Sequence, residues 1–572
     1  MILTVGLYFF IDFGRWFFCL DMIDSHLTFC VDSLSLICSS LVSLLTMLAL
    51  YFGVEYMYRE AFINRLLYLL NLFATSVILL FYCYDYFLIL FMWECIGLFS
   101  LLLVNFYSSR IYTLKASLKT FIFSRVSDMF MFFTFLLVIN TFSSTDLSLI
   151  FIQIPFLTFH YIFISGVAFH FLTIFSLCLA MSGTIKAAQF FSHVWLPDAM
   201  EAPTPASALI HSSTLVIAGI FLILRFSVLF EFTIFTNCYL VILGSITLAF
   251  GAITATFQTD IKKLVAYSTI SQIGYLVCGC GFSCYEEVLI YLVIHALNKA
   301  FLFILVGYIV HFFSGNTDMR QMGGMYLYSF DMSILLFGVC FNLAGLPYSA
   351  GFFGKEFLLF QVLRDDYISL IIRSCWIVGF FFTPIYTFTL VFLILFDVKK
   401  GSIISYKLNW ESNFISQLFI SYQKSRQCLS SFKSRTTQQR VHYLIYKLQR
   451  FHTSRYIFTS ITSRFTTYLL VLFWLFFFFF GESLLLITFN FSSVIDTITS
   501  SSFFTFKQHA IFFINTASLK LNTHLFIYIL CMTLFSFTYL FNLSYSCNYY
   551  YFKQNNTILF LIFSFIFLFI LI

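Results

Sequence analysis

The sequence predicts an all-α, polytopic membrane protein of about 13–15 transmembrane helices, each supplying the ~20 apolar residues that cross a hydrocarbon core of ~30 Å. Of 572 residues, 61% are hydrophobic and only 10% charged, where soluble domains carry about 25% charged residues. The mean hydropathy of +0.94 agrees. The apolar runs are also too long, and too apolar throughout, for barrel strands, so helices that pair their own backbone groups are what lipid permits.

The first element, Met1 to Cys19, has an apolar stretch but no basic region ahead of it and no A-x-A-like cleavage site after it, so it is expected to be retained. Spans are then expected near 27–53, 66–83, 86–107, 119–142 and 159–181, followed by 206–230, 237–257, 264–284, 286–313, 333–361 and 368–396. The loops between them are too short for a soluble domain. From Lys399 to Arg464 the chain holds twelve Lys or Arg against one acid, Glu411, and reads as a basic solvent-side loop facing the matrix or cytoplasm. Spans resume at 466–480, 523–543 and 557–572, and Ile558 to Ile572 carries no charge. That end is expected in lipid or at a protein interface.

Several function classes are excluded at this stage. A net charge of +6 is too diffuse for nucleic acid, because about a third of the basic residues fall in the one polar loop. The fifteen Cys lie mostly singly in apolar runs, where they act as small hydrophobes. Cys278, Cys280 and Cys284 lack a second pair at ligand spacing and read as an inert span end. No phosphate-cradling loop, dinucleotide fingerprint or haem ligand set occurs, so energy must come from an ion gradient or a partner protein. The 84 Phe and 34 Tyr beside 6 Pro suit codons rich in A and T, as in organellar or low-GC genomes.

What remains unexplained by a passive membrane anchor is charge. An ionised side chain at the bilayer centre costs roughly 2.5–3.5 kcal/mol on insertion scales, so each needs a reason. Glu94 stands mid-span in Met92-Trp93-Glu94-Cys95, too far from either end to snorkel. Arg125 and Asp128 lie three apart on one helix face, spaced to pair. Lys186 follows its span with no polar loop opening, and a lysine deprived of water is suited to trading a proton with a neighbour. His211 heads the next span, and His295 and Lys299 share a helix face four residues apart. Lys355, beside Glu356, comes after Gly345-Leu346-Pro347, Gly351 and Gly354, which break a helix in apolar surroundings. Glu94, Lys186, Lys299 and Lys355 thus read as stations on a proton or cation path.

The run His193-Val194-Trp195-Leu196-Pro197-Asp198-Ala199-Met200-Glu201-Ala202-Pro203-Thr204-Pro205, continuing to His211-Ser212-Ser213-Thr214, closely resembles the largest antiporter-like subunit of respiratory complex I, the chain 5 family of NADH-ubiquinone oxidoreductases. The resemblance extends through Asp260-Ile261-Lys262-Lys263-Leu264, Asp318-Met319-Arg320-Gln321 and the break before Lys355, and covers about residues 27–396. It implies two inverted antiporter-like repeats containing discontinuous helices: N-terminal helices over 1–83, a first half over 84–232, a second over 233–397, the basic loop 398–465 and C-terminal helices 466–572. It further implies that Glu94 and Lys186 are the acid and central lysine of one half channel, with Asp128 tuning Lys186. His211 and Lys299 would be connecting residues, with His295 placed one turn from Lys299 for a proton step between neighbours, and Lys355 would be the lysine of the second, inverted repeat, on a discontinuous helix.

The implied function is proton translocation in a mitochondrial inner membrane, beside a neighbouring antiporter-like subunit, other membrane-arm subunits and lipid. No cofactor would sit on this chain; NADH, FMN, iron–sulfur clusters and ubiquinone would act on other subunits. The runner-up is the large subunit of a multi-subunit cation/proton antiporter, which shares the Pro203-Thr204-Pro205 and His211-Ser212-Ser213-Thr214 region. A purely structural relic is disfavoured, because drift would have replaced such costly charges. The family has about two further N-terminal helices and a long lateral C-terminal helix. Neither is legible here, and the expectation is that the ends are shortened or carried on another chain.

Overall fold

The computed structural model describes residues 9–15 and 26–397, apart from the short stretches 58–59, 61, 143, 165–166, 314, 328–329, 347–348 and 365–369. The expected basic loop 398–465, the helices of 466–572 and any lateral helix lie outside the described residues.

Helices make up almost all of the structure. They are α1 (Ser33–Tyr56), α2 (Ile63–Tyr82), α3 (Tyr86–Val104), α4 (Ile111–Phe142), α5 (Leu147–Gln153) and α6 (Phe171–Lys186). The short α7 (Trp195–Asp198) and α8 (Thr204–Leu209) follow, then α9 (Leu215–Arg225), α10 (Ser227–Glu231), α11 (Ile234–Thr256), α12 (Ile261–Gly281) and α13 (Tyr285–Phe312). The last are α14 (Phe330–Ala344), α15 (Ala350–Arg364) and α16 (Leu370–Val391). Among the described residues nine helical stretches are long and apolar enough to cross a membrane, with shorter apolar helices at Leu147–Phe159, Phe171–Lys186 and Met332–Ala344.

Two boundaries differ from expectation. The span expected at 159–181 begins as a hairpin, β3 (Tyr161–Ile164) against β4 (Val167–His170), with Tyr161 opposite His170 and Ile164 opposite Val167. The helix occupies Phe171–Lys186 instead. Apolarity alone does not separate a short strand from a helix turn, and Tyr161, Ile162, Phe163 and Ile164 are aromatic or β-branched residues that suit a strand. Likewise 27–53 starts as β2 (His26–Val31), paired with β1 (Phe9–Arg15), before α1 opens. That opening is local chemistry: Asp32 caps the Ser35 N–H and the Ser35 hydroxyl answers the Asp32 N–H, a reciprocal capping box.

The span expected at 333–361 is broken, as its Gly and Pro residues predict, into two helices, α14 and α15, separated at Gly345, whose φ of +73° favours glycine. The stretch Thr204–Arg225 is also interrupted, by a π-turn at Ile210–Thr214 that contains His211. Such π-bulges are frequent at functional sites.

Burial orders the helices. The windows in Thr204–Arg225, Ile261–Gly281 and Tyr285–Phe312 are 100%, 94% and 83% buried, whereas that in Ile111–Phe142 is 33% buried, so α8–α9, α12 and α13 form the centre and α4 lies at the rim. In lipid, helix contacts rest on close packing rather than on hydrophobic transfer, which favours small residues at the seams. Between α11 and α12, a Cβ placed on Gly244 would stand 2.6 Å from the Cys278 nitrogen, and one on Gly251 2.7 Å from the Ser271 nitrogen.

The two ends differ in charge. At one, Tyr308 donates to Glu55 at 2.8 Å, and Arg110, Lys119, Lys262, Lys263 and Arg320 lie among the acids Asp198, Glu201, Asp260 and Asp318 around the ends of α4, α7 and α12. At the other, Asp32, Asp85 and Asp146 mark helix starts, and the backbones of Asp85 and Asp146 pair.

Candidate functional site: buried charges at two helix breaks

The first group forms where α3, α4 and α6 meet. Lys186 is the last residue of α6, and beyond it Ala188 and Phe191 take left-handed backbone angles (φ 50° and 72°) that non-glycine residues rarely adopt. The helix therefore ends inside the protein, and the Lys186 side chain is 1% exposed. Its ammonium donates to the Trp93 carbonyl at 2.5 Å, sits 4.0 Å from the centre of the Trp93 ring, and pairs with Asp128 at 3.4 Å. Asp128 is buried too, and its other oxygen faces Arg125 at 3.6 Å. Arg125 in turn lies 3.8 Å from Glu94.

The expected Arg125–Asp128 pairing is present, and Asp128 is shared between Arg125 and Lys186. Glu94 reaches Lys186 through Arg125 rather than by contact, and its side chain is 48% exposed on the outer face of α3. The acid that the sequence places mid-span thus points away from this chain's own core.

The second group surrounds the α14–α15 break. Lys355, on α15, donates to the Leu343 carbonyl at 2.5 Å. A Cβ on Gly345 would come within 3.1 Å of the Lys355 Cδ and 3.6 Å of its Nζ, so glycine there serves both the turn and the lysine's passage. Asn342 ties the break to α13: its side-chain nitrogen donates to Asn298 at 2.7 Å, and its oxygen accepts from the Gly351 N–H at 2.6 Å. Lys299 donates to the Ser268 hydroxyl at 2.5 Å. His295, Lys299 and Lys355 lie within electrostatic range of one another. Glu356, Lys355's neighbour in sequence, interacts with it electrostatically.

His211 is fully buried between the groups, near Trp195 and Phe303, with ring centres 6.1 and 6.3 Å away. Among the described residues neither of its ring nitrogens has a hydrogen-bond partner. Cys278 and Cys280 are buried in α12 and Cys284 precedes α13. Among the described residues no three His, Cys, Asp or Glu gather as metal ligands.

Sequence reasoning missed Trp93, Ser268, Asn298 and Asn342. None is charged, so none carried the insertion cost that revealed the others. Three apolar-embedded Lys, each on a separate element and each with an acid, hydroxyl or His neighbour, are groups that can take up and release a proton.

The family described as NADH:quinone oxidoreductase/Mrp antiporter, transmembrane, matches residues 83–381. Among curated relatives, NADH-ubiquinone oxidoreductase chain 5 of Nyctotherus ovalis is 44% identical over 65% of this chain and 20% of its own length. That of Chondrus crispus is 36% identical over 68% of this chain and 59% of its own. That of Paramecium tetraurelia is 36% identical over 68% of each. The chain thus spans from a fifth to about two thirds of the relatives it matches. A solved structure, the Mrp complex from Dietzia sp., superposes with a TM-score of 0.59 at 25% identity, covering 69% of this chain and 42% of that one. With a family match spanning both groups of buried charge and such relatives along the same residues, this chain belongs to the NADH:quinone oxidoreductase/Mrp antiporter transmembrane family.

Proposed function

We propose that this chain is a proton-translocating membrane subunit of respiratory complex I in a mitochondrial inner membrane. NADH oxidation by ubiquinone, with its FMN and iron–sulfur clusters, proceeds on other subunits. The observation that carries the proposal is the connected set Glu94–Arg125–Asp128–Lys186, met across the protein by His295, Lys299 and Lys355. Seven costly charges or potential charges within apolar helices are hard to reconcile with a passive anchor.

The geometry suggests how coupling acts. Asp128 stands between two cations, 3.6 Å from Arg125 and 3.4 Å from Lys186. A charge change relayed to Glu94 and Arg125 shifts that carboxylate between them and alters how firmly Lys186 holds its proton. His211 and Lys299 then carry the effect to Lys355. The Lys and Arg gathered at one end support reading that end as the matrix side.

Glu94 and Arg125, both more than a third exposed on the outer face, are too costly to leave against lipid. A neighbouring membrane-arm subunit is the fitting cover.

A second reading is favoured by the likeness to the Dietzia Mrp complex: the large subunit of a multi-subunit cation/proton antiporter. One experiment separates the two. Native membranes are solubilised gently, complexes are resolved on a native gel and stained for NADH oxidation, and the stained band is read by mass spectrometry. The chain is expected in that band. Its recovery only from a smaller, NADH-inactive assembly would transfer the assignment to the antiporter reading.

A further inference from the structure

We propose that Trp93 is the seat on which Lys186 rests while it carries its proton, a positioning residue for the proton step, and that Ser127 and Ser182 lock that seat in place. The inference rests on the reading of Lys186 as a proton carrier and supplies what that reading lacks, a group that tells the charged lysine from the neutral one.

The contacts of Lys186 are unequal. Its ammonium stands 2.5 Å from the Trp93 carbonyl oxygen and 4.0 Å from the centre of the Trp93 ring, so one residue of α3 engages it twice. Asp128, on α4, is 3.4 Å away. That exceeds the roughly 2.7–2.9 Å of a charge-assisted hydrogen bond, so Asp128 acts mainly through its charge. Arg125 and Glu94 also lie within electrostatic range of Lys186. Trp93, rather than an acid, makes the closest contact.

The ring is held in that orientation by hydrogen bonds. Its indole N–H donates to the Ser127 hydroxyl on α4 at 3.1 Å, and Ser127 donates onward to the Ser182 carbonyl on α6 at 3.0 Å. Ser182 lies one turn before Lys186, so the chain of bonds returns to the helix that carries the lysine. Trp93 and Ser127 are both fully buried. The side chain of Trp93 has one donor and no acceptor, and that donor is spent, so Trp93 itself neither takes nor gives a proton in the step.

What the seat supplies is discrimination. The face of an indole ring and a carbonyl oxygen both carry negative charge, and the attraction of a cation to such a face strengthens where water is excluded. An ammonium is held firmly there and a neutral amine weakly. Lys186 is therefore released as it gives up its proton and returns to the same place on regaining one. Lys355 offers the contrast: it too donates to a carbonyl at 2.5 Å, but the centre of the Tyr275 ring is 6.0 Å away, at the limit of such a contact. Among the described residues the buried Tyr275 hydroxyl has no hydrogen-bond partner to fix it. The locked seat is a feature of the first break. Trp93 is also followed directly by Glu94, so α3 carries the inner seat and the outer acid on consecutive residues.

The test uses the intact assembly in vesicles and reads NADH-driven proton uptake per NADH oxidised. Trp93→Leu should lower it about tenfold, the scale of a desolvated cation–ring contact, whereas Trp93→Phe keeps an aromatic face and should stay within about threefold of the parent. Growth on 5-fluorotryptophan weakens the ring's negative face at nearly constant size. It should lower uptake about twofold in the parent and leave Trp93→Phe unaffected. Ser127→Ala should lower uptake in the parent and add nothing in the Trp93→Phe background, because phenylalanine has no N–H to lock. Equal uptake by the Leu and Phe variants, or a 5-fluorotryptophan effect that is absent from the parent or undiminished in Trp93→Phe, overturns the proposal. Lys186→Ala judges the carrier reading separately. Full uptake there overturns that reading and the seat with it, whereas an impaired Lys186→Ala beside a fully active Trp93→Leu overturns the seat alone.

Discussion

Lys186 and Lys355 are alike in chemistry and unlike in placement: one closes a helix that ends inside the protein, the other stands within a helix that begins after a break. Each donates to a backbone carbonyl at 2.5 Å; Lys186 pairs with the buried Asp128 of another helix, whereas the acid beside Lys355 is its sequence neighbour Glu356. Replacing either by Ala should cut proton pumping about 100-fold or more, the scale of a lost acid–base group, while the assembly still forms. An unchanged proton-to-electron ratio in reconstituted vesicles would reject that role. Asp128→Asn keeps the shape but removes the charge shared by Arg125 and Lys186, and should impair pumping with quinone reduction by detergent-solubilised enzyme largely retained. These residues were legible in the sequence because a charge in an apolar run is conspicuous. Trp93, Ser268 and Asn342 were not, because an uncharged partner becomes visible only when folding brings it alongside.

Among the elements, the breaks matter more than the helices. At the second break, Gly345 combines a left-handed φ with the Lys355 side chain 3.1 Å from any added Cβ. Gly345→Ala should therefore cost about 1–2 kcal/mol from backbone strain alone. It should also displace Lys355, so pumping falls further than stability. Equal loss of pumping and of assembled complex on native gels would show a folding defect only. At the α11–α12 seam a Cβ on Gly274 would meet both the Leu248 nitrogen and the Thr247 hydroxyl at 2.7 Å. Gly274→Val should force the two helices apart and cost about 1–3 kcal/mol or more. Normal accumulation and an unaltered melting temperature in detergent would contradict it. The Pro and Gly cluster announced the second break in sequence. The first break has Ala188 and Phe191 in left-handed angles, residues that carry no such signal.

For the whole molecule, Arg225 and Asp32 join parts of the chain 193 positions apart. Arg225, at the end of α9, donates to the Asp32 cap of α1 and, at 3.0 Å, to the Phe81 carbonyl at the end of α2. Removing one member strands a buried charge, so Arg225→Met should destabilise by about 3–5 kcal/mol, seen as dissociation at lower temperature on native gels. A variant as stable as its parent would show that the clasp is dispensable. Outward-facing Glu94 and Arg125 belong to this scale as well: a photo-crosslinker at Val126, exposed beside Arg125, should capture a protein neighbour, and capture of lipid alone would remove the subunit-cover reading. By itself the sequence determined the membrane class, most helix positions and the costly charged residues, because hydropathy and insertion cost act locally along a chain. It misassigned 161–170 to a helix, since apolarity does not distinguish strand from helix. Only the tertiary structure decided that Asp128 is shared by two cations and that Glu94 faces outward. Those are relations between elements distant in sequence, set by packing in three dimensions, and local physical chemistry carries no record of them.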